Sequence, residues 1–465
     1  MTFGIALPMT DFSPYQPVWT TGGNNPCYSE HPDFPNGHRY SAMVGRNVSG
    51  TYQIFILDSH DWGQTWAETQ ITFKTGGSAY GHQYIGSICP DLDGRGLHIS
   101  WYGKGYHSHP HMKYYPSQNY VTSLLYKYRD AYGVWSCGNC TPYEHDASLS
   151  VIEYSGDHVY AIGYSRFRYQ NIIQPSMATD SQGDVHIAYS HWGGWNPFFS
   201  HVWYNVWYRK MRPAVGTWGS LAYFRWSRFN TTELERPNLQ VDYYDNPHIC
   251  CTILHPTSSW PINSYTSCWF MNWNKGDPLC WPGTPVWMPY IYGGQFPVAS
   301  PYAQLLWETP SPNSYYNRMA LSHFYDEGTF DYPHCIYAVS ASGVEAGVFH
   351  KYMDVTGWHT ERVNSAWNSQ YPLLTLGADG MIYSLALAGS GTSLWDYRKK
   401  ASPELAWSAA ERITGLLTSP RPVHLARPTH YPLEDQDCSP FMAIQNSIEK
   451  LFRCGMPASG FGYFM

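Results

Sequence analysis

One unit recurs along this 465-residue chain. It reads as an apolar stretch, a turn built on Asp and Gly, a His or Tyr, and a second apolar stretch. Three copies are clear: Ser87-Ile-Cys-Pro-Asp-Leu-Asp-Gly-Arg-Gly-Leu-His-Ile-Ser-Trp-Tyr102, Pro175-Ser-Met-Ala-Thr-Asp-Ser-Gln-Gly-Asp-Val-His-Ile-Ala-Tyr189 and Pro237-Asn-Leu-Gln-Val-Asp-Tyr-Tyr-Asp-Asn-Pro-His-Ile-Cys-Cys251. Looser copies fall at Asp326–Tyr337 and Pro372–Leu387, and a further one at Ser148–Tyr164. Gly and Asp tolerate the positive φ that tight strand-to-strand turns require, so each copy predicts a β-hairpin. A second hairpin ending in Trp alternates with the first: Phe55–Asp58 to Trp66, Tyr126–Arg129 to Trp135, Trp207–Lys210 to Trp218, Phe349–Tyr352 to Trp358 and Trp395–Arg398 to Trp407.

Two hairpins per unit make a four-stranded sheet, and a spacing of roughly 50 to 90 residues suits propeller blades with loop insertions. The expectation is an all-β chain, a β-propeller with four-stranded blades, six or seven in number, forming one domain over 1–465. Closure of the ring would join the N-terminal segment to 439–465, where Pro440-Phe-Met-Ala-Ile444 reads as a strand. A pair of β-sandwiches is the competing all-β architecture, but it gives no reason for two hairpin types to alternate. Aromatic residues at 17%, with Gly 40 and Pro 34, agree with many short strands and turns. Ser402–Ile413 is the one stretch that reads as a short helix.

Charge narrows the partners. A net charge of −7 with no basic block excludes a nucleic-acid backbone as ligand. No segment approaches the roughly 20 apolar residues of a membrane-spanning helix, so membrane insertion is not expected. Met1–Phe12 lacks a basic stretch followed by an apolar run, so no secretory signal is read there. The eleven cysteines are scattered and odd in number, which suits mostly reduced, buried thiols better than a disulfide framework.

Ser59-His-Asp-Trp-Gly-Gln-Thr-Trp66 matches the pattern Ser-x-Asp-x-Gly-x-Thr-Trp at every fixed position. In this it resembles the Asp-box, or bacterial-neuraminidase-repeat, superfamily of sialidase-like propellers. Its logic is local. Ser59, Asp61 and Thr65 can hold the turn, Gly63 can take the left-handed conformation, and Trp66 can pack between strands. The resemblance implies a fold and says little about chemistry.

Sialidases of that superfamily use three arginines on a carboxylate and usually begin with an Arg-Ile-Pro-like strand. Here Arg-Pro steps occur only at Arg212, Arg236, Arg421 and Arg427, none in an N-terminal strand. A second resemblance is to propeller polysaccharide lyases: His82-Gln-Tyr-Ile-Gly-Ser87, Asp91–Gly94, Tyr102-Gly-Lys-Gly105, the cluster His107-Ser-His-Pro-His111 and Met112-Lys-Tyr114. It departs by extra residues between Gly103 and the His cluster. It implies β-elimination at a uronate, in which a base takes the proton α to the carboxylate, a cation stabilises the enolate and an acid protonates the leaving oxygen. The candidates are His82, Tyr106, His107 and His109, with Arg166 and Arg168 as the carboxylate clamp. Each of these also suits an ordinary loop residue with local hydrogen bonds.

His98, His186, His248 and His334 recur at one position of the repeat, which is a packing signature. No cofactor is called for. His107, His109 and His111 would share one face of a strand and suit a metal, but Pro110 interrupts pairing and no Cys or carboxylate is adjacent. Trp192, Trp195 and Trp281 lie in Gly/Pro-rich stretches and suit stacking on sugar rings, or docking onto another protein. Three readings follow: a carbohydrate-binding or docking module, such as a virion (phage capsid or tail) surface protein in contact with other subunits; a uronate polysaccharide lyase; and a sialidase or other glycosidase, for which no carboxylate pair is found. The location expected is a virion surface or the extracellular space.

Overall fold

A computed structural model describes residues 27–61, 65–73, 83–104, 122–136 and 171–193, the strands named below, and turn residues 245, 372 and 405–410. Among these residues there are no α-helices, and the strands form seven antiparallel sheets. Sheet 1 holds Tyr15–Gln16, Cys27–Glu30, His38–Val48, Thr51–Ser59 and Ala67–Gln70. Sheet 2 holds Gln83–Pro90, Leu97–Lys104, Thr122–Arg129 and Val151–Tyr154. Sheet 3 holds Asn171–Thr179, Val185–Gly193, Trp203–Arg212, Thr217–Trp218 and Ala222–Phe224. Sheet 4 holds Glu233–Val241, Pro247–Pro256, Ser264–Asn272 and Ala303–Thr309. Sheet 5 holds Tyr316–Ser322, Tyr332–Val339, Gly347–Asp354 and Gly357–Asn364. Sheet 6 holds Leu373–Leu376, Ile382–Leu387, Trp395–Lys400 and Glu411–Ile413. Sheet 7 holds Arg421–Ala426, Phe441–Gln445 and Leu451–Gly455, and its fourth strand is Leu7–Pro8, which pairs with Leu451–Gly455.

The first strands of successive sheets touch in cyclic order, and that of sheet 7 touches Cys27–Glu30 of sheet 1. The core therefore lies between the sheets. Along sheet 2, Leu97, Ile99, Trp101 and Leu125 join Met43, Val44, Ile54 and Ile56 of sheet 1, while Leu124 and Tyr126 join Met177, Val185, Ile187 and Tyr189 of sheet 3. Alternate residues go to opposite faces, and here both faces are covered. That is why these strands read as nearly continuous apolar runs.

The first strands lock side by side through one recurring contact. The Ser87 hydroxyl accepts the Met177 N–H at 3.0 Å, and the Ser176 hydroxyl accepts the Leu239 N–H at 2.9 Å. Just before Ser87, Ser176 and Asn238 the hairpin register slips, leaving Ile85–Gly86, Gln174–Pro175 and Arg236–Pro237 as bulges. Pro has no N–H to lose at a bulge. Gly86 has no room for a side chain, since a Cβ there would lie 2.1 Å from the Ser100 carbonyl oxygen and 2.8 Å from Pro175.

Two expectations are corrected. Val151–Tyr154, in the stretch Ser148–Tyr164, does not open a new unit: it pairs with Thr122–Arg129 as the last strand of sheet 2. An apolar run of four residues reads the same whether it starts or ends a sheet. The Ser402–Ile413 stretch forms no helix among its described residues. Glu411–Ile413 pairs with Trp395–Lys400, Trp407 packs on the core between sheets 5 and 6, and Ser408 accepts from Arg398 through its carbonyl. Strand pairing overrides a weak helix propensity.

Candidate functional site

The meander gives the ring two ends. Turns from first to second strand and from third to fourth lie at one, the turn end. Connections from second to third strand, and from the last strand to the next sheet, leave from the other.

Every described buried ionic network lies toward the turn end. In sheet 3, Asp180 Oδ1 accepts the N–H groups of Gln182 at 2.9 Å and Asp184 at 2.8 Å. Its Oδ2 meets His186 Nε2 at 3.0 Å and Lys210 Nζ at 2.6 Å, and His186 Nδ1 meets the Tyr208 hydroxyl at 2.7 Å. Burial alone would raise the Asp180 carboxyl, but His186 and Lys210 outweigh it and hold the group well below the usual carboxylate range. Between sheets 5 and 6, Glu361 Oε1 takes both His350 Nδ1 and Lys400 Nζ, and His350 Nε2 meets His334 Nδ1 at 2.8 Å. Burial lowers the pKa of His98, which bonds the Tyr126 hydroxyl, to about 3, so it stays neutral.

A second device spans the seams. Arg129, at the end of a third strand, reaches back to Asp58 of sheet 1 and lies under Trp135, 5.4 Å from the ring centre. Lys400 occupies the matching register position in sheet 6, reaches back to Glu361 of sheet 5 and lies 5.6 Å from the Trp407 ring. Sequence reasoning listed the tryptophans and named Arg129 only as the end of its hairpin; it missed Lys400 and the ion pairs of both cations. The signal was a Lys or Arg closing a third strand with Trp six or seven residues on.

The turn of sheet 2 differs from that of sheet 3. Asp91 Oδ2 accepts the Tyr128 hydroxyl at 3.2 Å, while Oδ1 is buried without a partner. Burial, and then the neighbouring Asp93, raise the Asp91 carboxyl to about 6. The folded chain therefore holds this proton more tightly than the unfolded chain, where an Asp titrates near 3.9. Asp91 thus lowers stability as pH rises from about 4 to about 6, and the loss persists above that window. Asp91→Asn is expected to melt higher than wild type at pH 7 and to lose that advantage at pH 4. Equal destabilisation at both values in thermal melts would refute it.

The positions singled out for chemistry fall in connections that leave from the opposite end. His82 falls in the connection from sheet 1 to sheet 2. Tyr106, His107, His109 and His111 fall between Leu97–Lys104 and Thr122–Arg129, Arg166 and Arg168 in the connection from sheet 2 to sheet 3, and Trp195 between Val185–Gly193 and Trp203–Arg212. All of these lie outside the described residues. Trp192 is paired with Tyr204 near the end of its strand, but its side chain is outside what is described. Trp281, also undescribed, belongs to the connection between Ser264–Asn272 and Ala303–Thr309, which leaves from the turn end. Among the described residues no group of His, Cys, Asp and Glu suits a metal ion.

The Ser59–Trp66 turn is described except for Trp62, Gly63 and Gln64. Asp61 Oδ1 accepts the Thr65 N–H at 2.9 Å and the Ser59 hydroxyl at 2.8 Å, its Oδ2 accepts the Thr65 hydroxyl at 2.5 Å, and Trp66 packs on the core between sheets 1 and 2. Asp130 does similar work in sheet 2, accepting the N–H groups of Tyr132 and Val134 around Gly133 at φ +82°. Cys27, Cys89, Cys250 and Cys335 are buried free thiols, and burial raises the pKa of Cys89 to about 12.

No protein-family model matches the chain, and no curated protein matches it in sequence. Solved structures do match. An ulvan lyase, from a polysaccharide lyase family designated PL25, superposes with a TM-score of 0.51 at 10% identity, covering 97% of this chain and 93% of its own. The GH93 α-L-arabinofuranosidase of Fusarium graminearum in complex with arabinobiose gives 0.47 at 11% identity, covering 84% and 93%. A Trypanosoma rangeli sialidase in complex with the inhibitor DANA gives 0.43 at 9% identity, covering 97% and 58%. At such identities the likeness speaks to fold, and the fold is an all-β propeller.

Proposed function

We propose that this chain is a carbohydrate-directed β-propeller of the Asp-box type, a binding or docking module working at a virion or other extracellular surface. Its ligand face is the connection end of sheets 1 to 3. The observation that carries this reading is connectivity: His82, Tyr106, His107, His109, Arg166, Arg168 and Trp195 all fall in connections that leave from that end of three successive sheets. The hydrogen bonds of Asp61 within Ser59–Trp66 support the Asp-box assignment. A chain with 17% aromatic and only 14% charged residues suits hydroxyl-rich rings, which stack on aromatic faces and need polar partners at their edges. Neighbours of the same fold include proteins solved with arabinobiose and with a -[GlcA(1-4)Rha3S]- ligand.

A non-catalytic module is favoured over a lyase because two of the described His–carboxylate pairs, His186 with Asp180 and His350 with Glu361, are tied into networks toward the turn end. The lyase reading keeps one specific support, since the His, Tyr and Arg that β-elimination needs fall in connections that leave from that same connection end. Incubation with a panel of uronate polysaccharides separates the two. Retention of the chain on at least one polymer in affinity electrophoresis, with no near-ultraviolet absorbance of unsaturated product, is expected. Product from any polymer would replace this reading by the lyase, and failure to bind any glycan would remove carbohydrate from it.

A further inference from the structure

We infer that the seam between sheets 5 and 6 is an acid-operated latch, closed by the chain His334–His350–Glu361–Lys400 and released when that histidine pair takes up protons. The latch stands apart from the carbohydrate reading, since it uses none of the positions assigned to the proposed ligand face.

The latch departs from a pattern set in two other sheets. In register, Ser100 pairs with Tyr126, Ala188 with Tyr208 and Ile336 with His350. The recurring second-strand histidine stands two residues earlier in each, at His98, His186 and His334. In sheets 2 and 3 it bonds the tyrosine hydroxyl, a group that can donate or accept. In sheet 5 a histidine takes the tyrosine's place, so His334 Nδ1 meets His350 Nε2 at 2.8 Å with the rings stacked 5.0 Å apart. The other ring nitrogen, His350 Nδ1, lies 2.7 Å from Glu361 Oε1, which also takes Lys400 Nζ from sheet 6. Trp407 stands edge-on to His350 at 5.5 Å and covers the same Lys400.

The geometry fixes the proton count. A carboxylate only accepts, so His350 Nδ1 carries a hydrogen and, in the neutral ring, Nε2 accepts from His334 Nδ1–H. Glu361 and Lys400 then cancel, and the four groups hold no net charge. A first added proton can be shared between the rings, but it leaves a net positive charge beside the Lys400 ammonium. A second makes both facing nitrogens donors and breaks the His334–His350 bond. Among the described residues, the titratable and charged groups around the pair are Tyr352, His359 behind it and Glu361 on sheet 5, with Lys400 on sheet 6. Of these, Glu361 alone is an anion. Both histidines are fully buried, and burial, with Lys400 adding to it, holds both below the ordinary histidine range despite Glu361. Glu361, with 27% of its side chain exposed, connects the chain to water. The sign follows. Opened strands take up protons near pH 6.5 and the closed pair does not, so the seam's stability is full above that value and is lost as pH falls below it.

Hydrogen exchange of the full chain at about pH 7.5 and about pH 5.5, corrected for the intrinsic pH dependence of amide exchange, tests the latch. Over that interval an opening that frees both histidines gains about a hundredfold, and one that frees a single histidine about tenfold. Glu361 is ionised in both states throughout. Gly347–Asp354, Gly357–Asn364 and Trp395–Lys400 should therefore lose about a hundredfold in protection. Leu97–Lys104 and Thr122–Arg129 of sheet 2, with His98 as their one histidine, should lose about tenfold at most. His350→Tyr restores the pattern of sheets 2 and 3, and His350→Gln keeps a donor and an acceptor at that place. Each should cut the rise in sheets 5 and 6 to about tenfold. A rise there no greater than in sheet 2 would overturn the latch, as would an undiminished rise in either variant that melts like wild type. The wild-type comparison alone decides it should neither variant fold.

Discussion

Arg129→Ala is expected to lower the unfolding free energy by about 3–5 kcal/mol, because it strands a buried carboxylate. Asp58 is held in the seam between sheets 1 and 2 by both terminal nitrogens of Arg129 and by the Ser41 hydroxyl, with Arg39 Nε 3.9 Å away. Burial alone would raise the Asp58 carboxyl, but Arg129 and Arg39 outweigh it and leave the group below its ordinary value. Arg39 itself is spent on the carbonyls of Gly94, Arg95 and Gly96 and is not placed to take over. The pH dependence follows in sign. A carboxyl depressed by folding contributes stability above its unfolded pKa near 3.9 and loses it as pH falls further. Wild type should therefore lose stability below about pH 4 more steeply than a paired Asp58→Leu/Arg129→Met variant. That pair should also recover much of the single variant's loss, since apolar replacement of a whole buried ion pair is often neutral. Urea unfolding of the four corners of the cycle decides it. A loss under about 1 kcal/mol for Arg129→Ala would mean that water reaches Asp58 and the pair acts as an exposed one.

How such a lock escapes sequence reading is instructive. Arg129 and Asp58 are 71 residues apart, and nothing in either local pattern names the other. The hairpins were legible because their causes are local: Asp180 caps its own turn, and Gly183 takes φ +76° three residues later. The repeated histidines were legible as packing because His98 and His186 each bond a third-strand tyrosine of their own sheet. What crosses a seam was not. The first-strand bulges form an intermediate case. Gly86, Pro175 and Pro237 stand in one column of the repeat, just before Ser87, Ser176 and Asn238. Two residues without an N–H and one without a Cβ at the same place in a strand are a bulge signal. The connections proposed to meet ligand carry neither periodicity nor recurrence, so their chemistry is legible only as residue type.

Asp180→Ala carries a comparable penalty, about 3–5 kcal/mol, through a different route. The side chain is fully buried and serves four donors: two N–H groups of its own turn, His186 Nε2 and Lys210 Nζ. Its removal leaves Lys210 with Asp184 alone and His186 with only Tyr208. Asp180→Asn preserves an acceptor for the turn and forfeits the charge, so roughly half the loss is expected from it. The consequence reaches the first strands of sheets 3 and 4 by a chain of named contacts. The turn that Asp180 organises also holds Ser181, whose N–H and hydroxyl bond Asp245 in the corresponding turn of sheet 4 at 2.8 and 2.9 Å. That link and the bond from Leu239 to Ser176 fix how the first strands of sheets 3 and 4 sit against each other. Asp180→Ala should therefore weaken glycan binding at temperatures where the variant is still fully folded, although Asp180 lies toward the opposite end of its sheet from the proposed ligand face. Binding unchanged from wild type below the melting transition would show that the seam keeps its register without the turn, and would confine Asp180 to stability.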